Sequence, residues 1–310
     1  MEDNRRWIAV TAIAPVLWGS TYYLTHAVLP DGAPLWGAIL RGLPGGLLLV
    51  ALRRSLPRGS WWWRAPVLGA LTTGPFFVLV YVAAQALPTG VASMIMSLSP
   101  VAMMALGWGL LGERPGVVAA LGAAVGIGGA VLILAGGGGA IDPWGVLASI
   151  AGLVMSSVGF VLARRWRAGV DPVALTSWQL VSSSLVLVPV ALLAEGAPPR
   201  LDGGQVVAFV YMSLVATGLA YVAWNLGLAH LPAGTVGVVG LLNPVTGVLL
   251  GTLVGGESLT ILQGVGVVAV LGGIGLAQVR GAGRRAEARA VRLGRLELPT
   301  PALGERCSIH

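Results

Sequence analysis

Long apolar stretches separated by short polar segments make up most of the chain. No charged side chain occurs between Arg64 and Glu113 or between Asp202 and Glu257. A helix of about 20 apolar residues crosses the roughly 30 Å hydrocarbon core of a bilayer, so each stretch is long enough to cross it at least once. Apolar runs bounded by charge, proline or glycine predict ten spanning helices, at about 7–28, 35–52, 65–86, 90–111, 116–135, 144–163, 172–193, 206–229, 233–254 and 261–279.

Composition excludes an ordinary soluble protein. Of the 310 residues, 56% are hydrophobic and only 10% are charged, whereas a soluble domain carries about 25% charged residues. The high hydrophobicity also excludes intrinsic disorder. The 47 glycines are dispersed through the apolar runs, which is typical of helices that pack closely in lipid. These observations predict an all-α integral membrane protein, and the single cysteine, Cys307, excludes an internal disulfide.

The basic residues predict the orientation of the helices. All of them are arginines, and they flank the apolar runs. If the N-terminus is cytoplasmic, about seventeen arginines fall in cytoplasmic segments and only Arg200 falls in an outer loop, which is a strong positive-inside bias. The bias predicts an even number of spans with both termini in the cytoplasm. Topology therefore explains the net charge of +7, and no nucleic-acid partner is expected.

The chain repeats itself. Residues 70–130 align without gaps to residues 214–274, at an offset of about 144, with roughly a quarter of the positions identical. The matches include helix breakers and an acid, which apolar bias alone would not align: Leu87-Pro88 with Leu231-Pro232, Pro100 with Pro244, and Gly112-Glu113 with Gly256-Glu257. The repeat unit holds five spans, an odd number, so the two halves have opposite orientations. Inverted repeats of this kind are a transporter architecture with the substrate site at the midplane.

Each half resembles an EamA domain of the drug/metabolite transporter superfamily. The motifs that carry the resemblance are Trp18-Gly19-Ser20, Ser99-Pro100, Leu111-Gly112-Glu113-Arg114, Tyr221-Val222-Ala223-Trp224-Asn225, Leu231-Pro232-Ala233-Gly234, Asn243-Pro244 and Gly256-Glu257. The resemblance covers about residues 8–279. It implies ten helices, as two inverted five-helix repeats, around a central cavity that moves small metabolites, amino acids or drugs. The second half departs from the pattern where Ser156-Ser157 stands in place of the Trp-Gly pair.

The predicted organisation has three parts. Residues 1–139 form the first five-helix repeat, residues 140–279 form the second, and residues 280–310 form a basic, disordered cytoplasmic tail. The pattern Gly264-Val265-Gly266-Val267-Val268-Ala269 matches a dinucleotide-binding motif, but it lies inside an apolar helix rather than after a strand. We interpret these glycines, like Gly122 and Gly126, as sites of close helix packing.

Polar and aromatic residues that recur on one helix face are the candidates for a transport pathway. Residues four apart share a face, and a polar face in lipid turns inward or toward a watery cavity. The alternative is that these side chains form interhelical hydrogen bonds or interfacial aromatic belts. The candidate pathway residues are Trp18, Tyr22, Arg41, Phe77, Tyr81, Gln85, Ser97, Tyr221, Asn225 and Asn243. Thr217, Tyr221 and Asn225 repeat the stripe of Thr73, Phe77 and Tyr81.

Two prolines and two glutamates are predicted to have structural or hinge roles. Pro100 and Pro244 lie within spans 4 and 9, where each removes a backbone donor and kinks or breaks the helix. Glu113 and Glu257 each end a span, so they are too shallow for a proton site at the midplane. We favour a structural role for both, such as pairing with a neighbouring base, and a gate role is the alternative.

Arg41 is the one charge placed clearly inside a span, about 10 Å from the outer end of span 2. It either snorkels outward or attracts anionic substrates into the cavity. No acid lies within a span away from its ends, which disfavours carboxylate-based antiport of lipophilic cations.

The family resemblance, together with the composition, implies transport, in the direction of export, of small neutral, zwitterionic or weakly anionic metabolites by alternating access in a bacterial inner membrane. A lipid or lipid-carrier flippase of the same superfamily is the alternative. The chain has no HExxH pair and no Cys/His cluster, so neither an enzyme nor a cofactor is expected. The expected partners are a small-molecule substrate and the lipid bilayer, and the sequence leaves open whether the protein is a monomer or a dimer.

Overall fold

A computed structural model describes residues 2–28, 33–87, 95–134, 142–167, 169–253 and 260–278. Helices dominate this described part, and it contains no strand. The α-helices are α1 (Glu2–Val28), α2 (Pro34–Arg53), α3 (Trp61–Thr72), α4 (Gly74–Ala86), α5 (Ser99–Leu111), α6 (Val117–Leu134), α7 (Pro143–Trp166), α8 (Pro172–Ala194), α9 (Gly203–Ser213), α10 (Ala220–His230), α11 (Ala233–Val239), α12 (Leu242–Leu253) and α13 (Ile261–Gln278). A π-helical segment, Leu214–Leu219, joins α9 to α10.

Aspartate and proline fix where the helices of the second half begin. The carboxylate of Asp142 accepts a hydrogen bond from the backbone N–H of Trp144 at 2.7 Å, and proline occupies the first turn of α7. Asp202 and Gln205 form a reciprocal capping box at the start of α9. Such caps satisfy N–H groups that have no partner within the helix, and proline fits there because it lacks one.

The helices have the length and surface of membrane spans. Among the described residues, five helical stretches are long and apolar enough to cross a bilayer: Pro34–Arg53, Trp61–Ala83, Pro143–Trp166, Pro172–Ala194 and Gly203–His230. Shorter apolar helices accompany them: Ser99–Leu111, Val117–Ile133, Ala233–Gly247 and Ile261–Ala277. Large apolar side chains such as Leu193, Trp144 and Val268 point outward and are mostly exposed. An apolar exterior of this kind is a surface for lipid, so the chain is a multi-pass membrane protein.

Helix contacts come in exchanged pairs. Helix α1 packs against α10 and α12, while α7 packs against α4 and α5. Likewise α3 packs against α8, and α9 packs against α2. Each of these contacts joins a helix of one half to a helix of the other half. For each such contact, the equivalent helices also pack together with the roles of the two halves exchanged. The two most extensive contacts, α2 with α8 and α6 with α13, join helices at the same place in each half.

Both ends of the α2–α8 pair are held by polar contacts. At one end, Arg53 and Asp171 form an ion pair with an N–O distance of 2.6 Å, and hydrogen bonding to Arg53 lowers the pKa of the Asp171 carboxyl. At the other end, the Glu195 carboxylate accepts hydrogen bonds from the backbone N–H groups of Leu35 and Trp36, at 2.7 and 3.0 Å. Glu195 thereby supplies acceptors for backbone N–H groups in the first turn of α2, which have no partner within the helix.

Helices α6 and α13 meet backbone to backbone. A Cβ atom added to Gly129 would lie 2.6 Å from the carbonyl oxygen of Gly266, and one added to Gly266 would lie 2.6 Å from the carbonyl oxygen of Gly129. Gly122 and Gly273 show the same reciprocal distances of 2.6 Å. Gly264, in contrast, has no atom within 4 Å of an added Cβ. The structure thus places Gly266 and Gly122 in close helix packing, as the sequence predicts, and leaves Gly264 on an open face.

Gly129→Leu is expected to separate α6 from α13 and to lower the free energy of unfolding by about 3 kcal/mol, the upper range for overpacking a tight contact. The atoms around an added side chain are backbone atoms of the facing helix, and these cannot rotate away. Thermal unfolding in detergent measures the effect. Gly128→Leu is the matched control, because an added Cβ there meets nothing within 4 Å. Equal melting temperatures for the two variants would contradict the packing described.

Candidate functional site: a central cavity

A cavity of about 150 Å³ lies among helices of both halves. An apolar protein cavity of about this size holds benzene, so the space admits a small organic solute. Residues of α1, α2, α4, α5, α7, α9, α10 and α12 contribute to the wall. The polar members of the described wall are Trp18, Thr21, Arg41, Tyr81, Ser97, Ser99, Ser156, Ser157, Trp224 and Asn243.

The cavity lies away from the end of the bundle that carries Arg53, Glu113, Arg164 and His230, which we call the arginine-rich end. Arg41 is within the first half of α2, which begins at the opposite end, and Tyr81 is in the second half of α4, whose last residues lie there. The arginine-rich end has no wall residue in its last helical turns. The cavity therefore occupies the middle and the opposite half of the bundle.

Five aromatic side chains, Trp18, Phe77, Phe160, Tyr221 and Trp224, pack together in or directly behind the cavity wall. The rings of Trp18 and Trp224 have centroids 5.1 Å apart, and Trp224 lies 5.3 Å from Phe160. Tyr221 packs edge-on against Trp18 at 5.3 Å and against Phe77 at 6.0 Å. Edge-to-face and tilted arrangements at these distances are favourable for aromatic rings. Tyr221 and Trp224 are almost completely buried.

Arg41 is held in the cavity wall by two contacts from different halves. Its Nε donates to the hydroxyl of Thr217 at 3.0 Å, and its guanidinium carbon lies 4.3 Å from the centroid of the Phe77 ring. Cation–π contacts at this distance are favourable and orient the planar guanidinium. The sequence placed Arg41 about two turns below the outer surface, and the structure places it in the wall.

Interrupted helices surround the cavity. Helix α11 ends at Val239 and α12 begins at Leu242; between them the carbonyl oxygen of Gly240 accepts from the backbone N–H of Asn243 at 3.1 Å. Pro244 follows in the first turn of α12, where its missing N–H costs nothing. In the other half, a turn at Ser97 and Leu98 precedes α5, and Pro100 lies in its first turn. Both interruptions lie beside the cavity wall.

A second pair of irregular segments lies at equivalent positions. Thr73 separates α3 from α4, and the π-helical segment that contains Thr217 separates α9 from α10. Thr73 exchanges a hydrogen bond with Ser183 at 2.7 Å, and Tyr221 donates its hydroxyl to the carbonyl oxygen of Thr72. Side chains thus satisfy backbone and hydroxyl groups at each interruption, as membrane helices require.

Glu113 ties together four helix ends at the arginine-rich end. Gly112 adopts a left-handed conformation with φ of 68°, which only glycine adopts readily, and turns the chain so that Glu113 follows α5 back toward its neighbours. The Glu113 carboxylate accepts from Arg164 Nε at 2.6 Å and from the backbone N–H of Ala233 at 2.9 Å. Arg164 in turn donates to the carbonyl oxygen of Leu228. We call Glu113 and Arg164 the end lock.

The structure brings most of the predicted pathway residues together and separates a few from them. The predicted residues in the wall are Trp18, Arg41, Phe77, Tyr81, Ser97, Asn243 and Pro244. Tyr221, Asn225 and Pro100 are buried behind the wall, and Glu113 lies at the arginine-rich end. Glu257 lies outside the described residues, as do the side chains of Tyr22 and Gln85. The pathway and hinge roles of all these residues stay predictions.

Asn225 bonds to a helix rather than facing the cavity. Its side-chain amide donates to the hydroxyl of Thr176 at 2.9 Å and to Oε1 of Gln179 at 3.3 Å, both on α8. Sequence reasoning also missed many wall residues, among them Trp224, Ser157 and Phe160. Trp224 adjoins Asn225 in a motif shared with EamA domains, and Ser156-Ser157 is a polar pair inside an apolar helix. Both features were visible in the sequence and could have identified these residues.

Asn225→Ala is expected to lower the free energy of unfolding by about 1–3 kcal/mol, the cost of leaving buried polar partners unsatisfied, because Thr176 and Gln179 both lose a donor. Tyr81→Ala is the contrasting variant, because Tyr81 lies in the cavity wall. We expect it to reduce transport while the protein still inserts normally into the membrane. Thermal unfolding and flux are measured for both. If Tyr81→Ala lowered the melting temperature and Asn225→Ala did not, the structural role assigned to Asn225 and the cavity role assigned to Tyr81 would both be wrong.

Comparison with known proteins agrees with this architecture. The model of the EamA-like transporter family matches twice, over residues 5–135 and 143–278. Protein PecM of Dickeya dadantii is 35% identical over 260 residues, covering 82% of this chain and 86% of that protein. The uncharacterized inner membrane transporter YedA of Escherichia coli K12 is 28% identical, covering 80% and 82%. The uncharacterized transporter sll0355 of Synechocystis is 29% identical, covering 83% and 86%.

A solved crystal structure, described only as that of a protein, superposes with a TM-score of 0.77. The likeness covers 88% of this chain and 98% of that one at 22% identity, so it supports the fold alone. A multi-pass helical bundle with interrupted helices around a solute-sized cavity defines a membrane transport protein. The chain belongs to the EamA-like transporter family, within the drug/metabolite transporter superfamily.

Proposed function

We propose that the protein moves small solutes across a membrane by alternating access through the central cavity. The observation that carries the proposal is the position of the cavity, which lies where interrupted helices of both halves meet. Broken helices at a repeat interface supply both polar backbone groups and mobile joints for such a site. We further propose ten spans arranged as two inverted repeats, and the exchanged pairs of helix contacts support this arrangement.

The closure of one end supports the alternating-access part of the proposal. Five packed aromatic side chains lie in or directly behind the cavity wall, and the end lock joins helix ends at the arginine-rich end. In a transporter of this type, the same cavity opens alternately to each side as one half moves against the other. We propose that this arrangement is a state closed at the arginine-rich end, in which release on that side requires the Glu113–Arg164 pair to separate.

We also propose a bacterial inner membrane location with the arginine-rich end in the cytoplasm. The positive-inside bias of the arginines supports this orientation. The similarity to YedA, which is named as an inner membrane transporter, supports the location. Export is the direction implied by the family resemblance, and the substrates are neutral, zwitterionic or weakly anionic metabolites.

Counterflow in liposomes tests the proposed function. Purified protein is reconstituted into liposomes preloaded with unlabelled amino acids or other small metabolites, and uptake of each labelled solute is compared with uptake by protein-free liposomes. Counterflow of at least one solute is expected. In a parallel arm, a fluorescent lipid analogue reports lipid exchange between leaflets. Lipid exchange without counterflow of any solute would overturn small-solute transport in favour of a flippase.

A further inference from the structure

We propose that the protein binds the phosphate of an anionic phospholipid at the arginine-rich end, outside the cavity. The site is the guanidinium of Arg64 with the indole rings of Trp61, Trp63 and Trp166 around it, and we call these four side chains the Arg64 cluster. None of the four belongs to the described cavity wall, so the inference assigns a lipid partner to a surface that solute transport does not use.

The Arg64 cluster lies at the level of the lipid headgroups. Trp61, Trp63 and Arg64 are in the first turn of α3, and Trp166 is the last residue of α7. Both helices belong to stretches long enough to span the bilayer, and tryptophans at the ends of spans lie at the membrane interface. Trp62 and Trp63 are 64% and 53% exposed there. A lipid phosphate at the same level therefore reaches the guanidinium without leaving the interface.

Three indole rings hold the guanidinium of Arg64 in place. Its central carbon lies 5.9 Å from the ring centroid of Trp61, 5.4 Å from that of Trp63 and 5.5 Å from that of Trp166. Trp63 and Trp166 also pack edge-on at 5.3 Å. Trp61 packs against the buried Trp178 at 5.8 Å. Cation–π contacts of this length are favourable, and a guanidinium that is held beforehand loses less entropy when an anion binds.

Arg64 has no hydrogen-bond or ion-pair partner in the part of the chain that the structure describes. The other partly buried arginines of this end differ, because Arg164 donates to Glu113 and Arg167 donates to the carbonyl oxygen of Ala229. The Nε of Arg64 is buried, whereas its two Nη groups are not. Arginine binds phosphate through two parallel hydrogen bonds, so the Nη groups are available for this contact.

An anionic phospholipid matches this surface better than a soluble anion does. The exposed rings of Trp62 and Trp63 place apolar area next to the guanidinium, where the glycerol and the first acyl carbons of a lipid lie. The cytoplasmic leaflet, which this end faces in the proposed orientation, supplies anionic lipids. A zwitterionic phospholipid carries the same phosphate, but its cationic group is repelled by Arg64.

Lipid binding to the purified protein tests the proposal. Delipidated protein in a neutral detergent is titrated with phosphatidylglycerol or with phosphatidylcholine of the same acyl chains, and native mass spectrometry gives the dissociation constant of the first lipid bound. We call the ratio of the two constants the headgroup preference. We expect phosphatidylglycerol to bind about tenfold more tightly, the size of one charge-assisted hydrogen bond.

Substitution of Arg64 assigns the preference to its guanidinium. Arg64→Gln is expected to remove most of the headgroup preference. Arg64→Lys keeps the charge but not the two parallel donors, so it should retain part of the preference. Arg5→Gln is the control, because it removes the same charge from an exposed arginine on α1, a helix that packs mainly against α10 and α12. Screening over about 10 Å in 0.1 M salt should leave its preference close to that of the parent.

Two neighbouring tryptophans test the role of the rings. Trp63→Leu removes a ring that contacts the guanidinium, and we expect the headgroup preference to fall about threefold, the size of one exposed cation–π contact. Trp62→Leu is the matched control. Its ring is equally exposed and adjacent in sequence, but in the described structure it does not contact Arg64. Trp62→Leu should therefore weaken both lipids alike and leave the preference unchanged.

Several results would overturn the lipid site. They are equal affinities of the parent for the two lipids, a headgroup preference that survives Arg64→Gln, and an equal loss of preference in Arg5→Gln. Displacement of phosphatidylglycerol by excess inorganic phosphate would show that the cluster takes a soluble anion instead. Thermal unfolding shows whether each variant is folded, and Arg64→Lys with Trp63→Leu decides the matter if Arg64→Gln is not. The measurement does not depend on flux, so its failure leaves the proposed transport function standing.

Discussion

Gly37→Phe is expected to abolish transport while leaving the fold intact. Gly37 is in the cavity wall, and a Cβ added there meets only the ring of Tyr81, at an ordinary contact distance of 3.7 Å. The phenyl ring therefore enters the cavity without displacing backbone. Because a cavity of about 150 Å³ holds about one benzene ring, little space remains for a solute. A steric penalty of about 3 kcal/mol on solute binding would lower the occupancy of the cavity, and with it the flux, by about 100-fold.

Leu47→Phe is the matched control for this variant. Leu47 lies on the same helix, is about half exposed and faces away from the cavity. Flux in liposomes and thermal unfolding are measured for both proteins. We expect Gly37→Phe to melt like the parent protein, since an ordinary contact replaces open space. Normal flux through Gly37→Phe would show that solutes do not pass through this cavity.

Breaking the end lock is expected to open the arginine-rich end. Each partner is roughly a fifth exposed, with side-chain exposures of 22% for Arg164 and 23% for Glu113. Removing one partner of a fully buried pair costs about 3–5 kcal/mol, and the partial exposure lowers this figure. Glu113→Ala also leaves the backbone N–H of Ala233 without its acceptor. A cost of about 1.4 kcal/mol to the closed state already changes the population of the open state tenfold.

The single native cysteine makes this opening measurable. In a Cys307→Ala background, Ser157→Cys places the sole thiol in the cavity wall. A membrane-impermeant maleimide is applied to inside-out vesicles, which expose the arginine-rich end in the proposed orientation. Glu113→Ala is expected to raise the labelling rate about tenfold and to lower net flux. Glu113→Gln keeps an acceptor for Ala233 and should give an intermediate rate.

The exposed ion pair Arg53–Asp171 supplies the control. Its side chains are 52% and 36% exposed, and exposed pairs contribute about 0–1 kcal/mol. Asp171→Ala should therefore leave the labelling rate close to that of the parent. If Asp171→Ala and Glu113→Ala changed the rate equally, or if neither changed it, the Glu113–Arg164 pair would not control access.

The sequence predicts the membrane class and the cavity wall well where charge and helix periodicity decide the outcome. Charged side chains are poorly solvated in hydrocarbon. The charge-free stretches that form spans, and the position of Arg41 along its span, are therefore visible in the sequence itself. The stripe of Phe77 and Tyr81 also lies in the wall, because α4 is regular from Gly74 onward. Close packing at Gly129 and Gly266 follows from small residues in apolar helices.

The sequence does not predict which faces of the second half point inward. The match of Tyr221 and Asn225 to Phe77 and Tyr81 assumes that both helices are regular. The π-helical segment Leu214–Leu219 has more residues per turn than an α-helix, so it rotates the residues that follow it. Trp224 then enters the wall, while Asn225 turns to α8. The sequence likewise does not reveal that Glu113 pairs with Arg164, because the two residues are 51 positions apart and meet only through tertiary packing.

The glycine contacts between α6 and α13 restrict the motion that transport requires. Two helices that touch through backbone atoms cannot slide past each other by one residue without driving side chains into main chain, and they cannot rotate about their own axes. The pair therefore acts as a single rigid body with one helix from each half. We therefore expect rearrangement during transport to be confined to the helices around the cavity, with α6 and α13 as the stationary axis about which they turn.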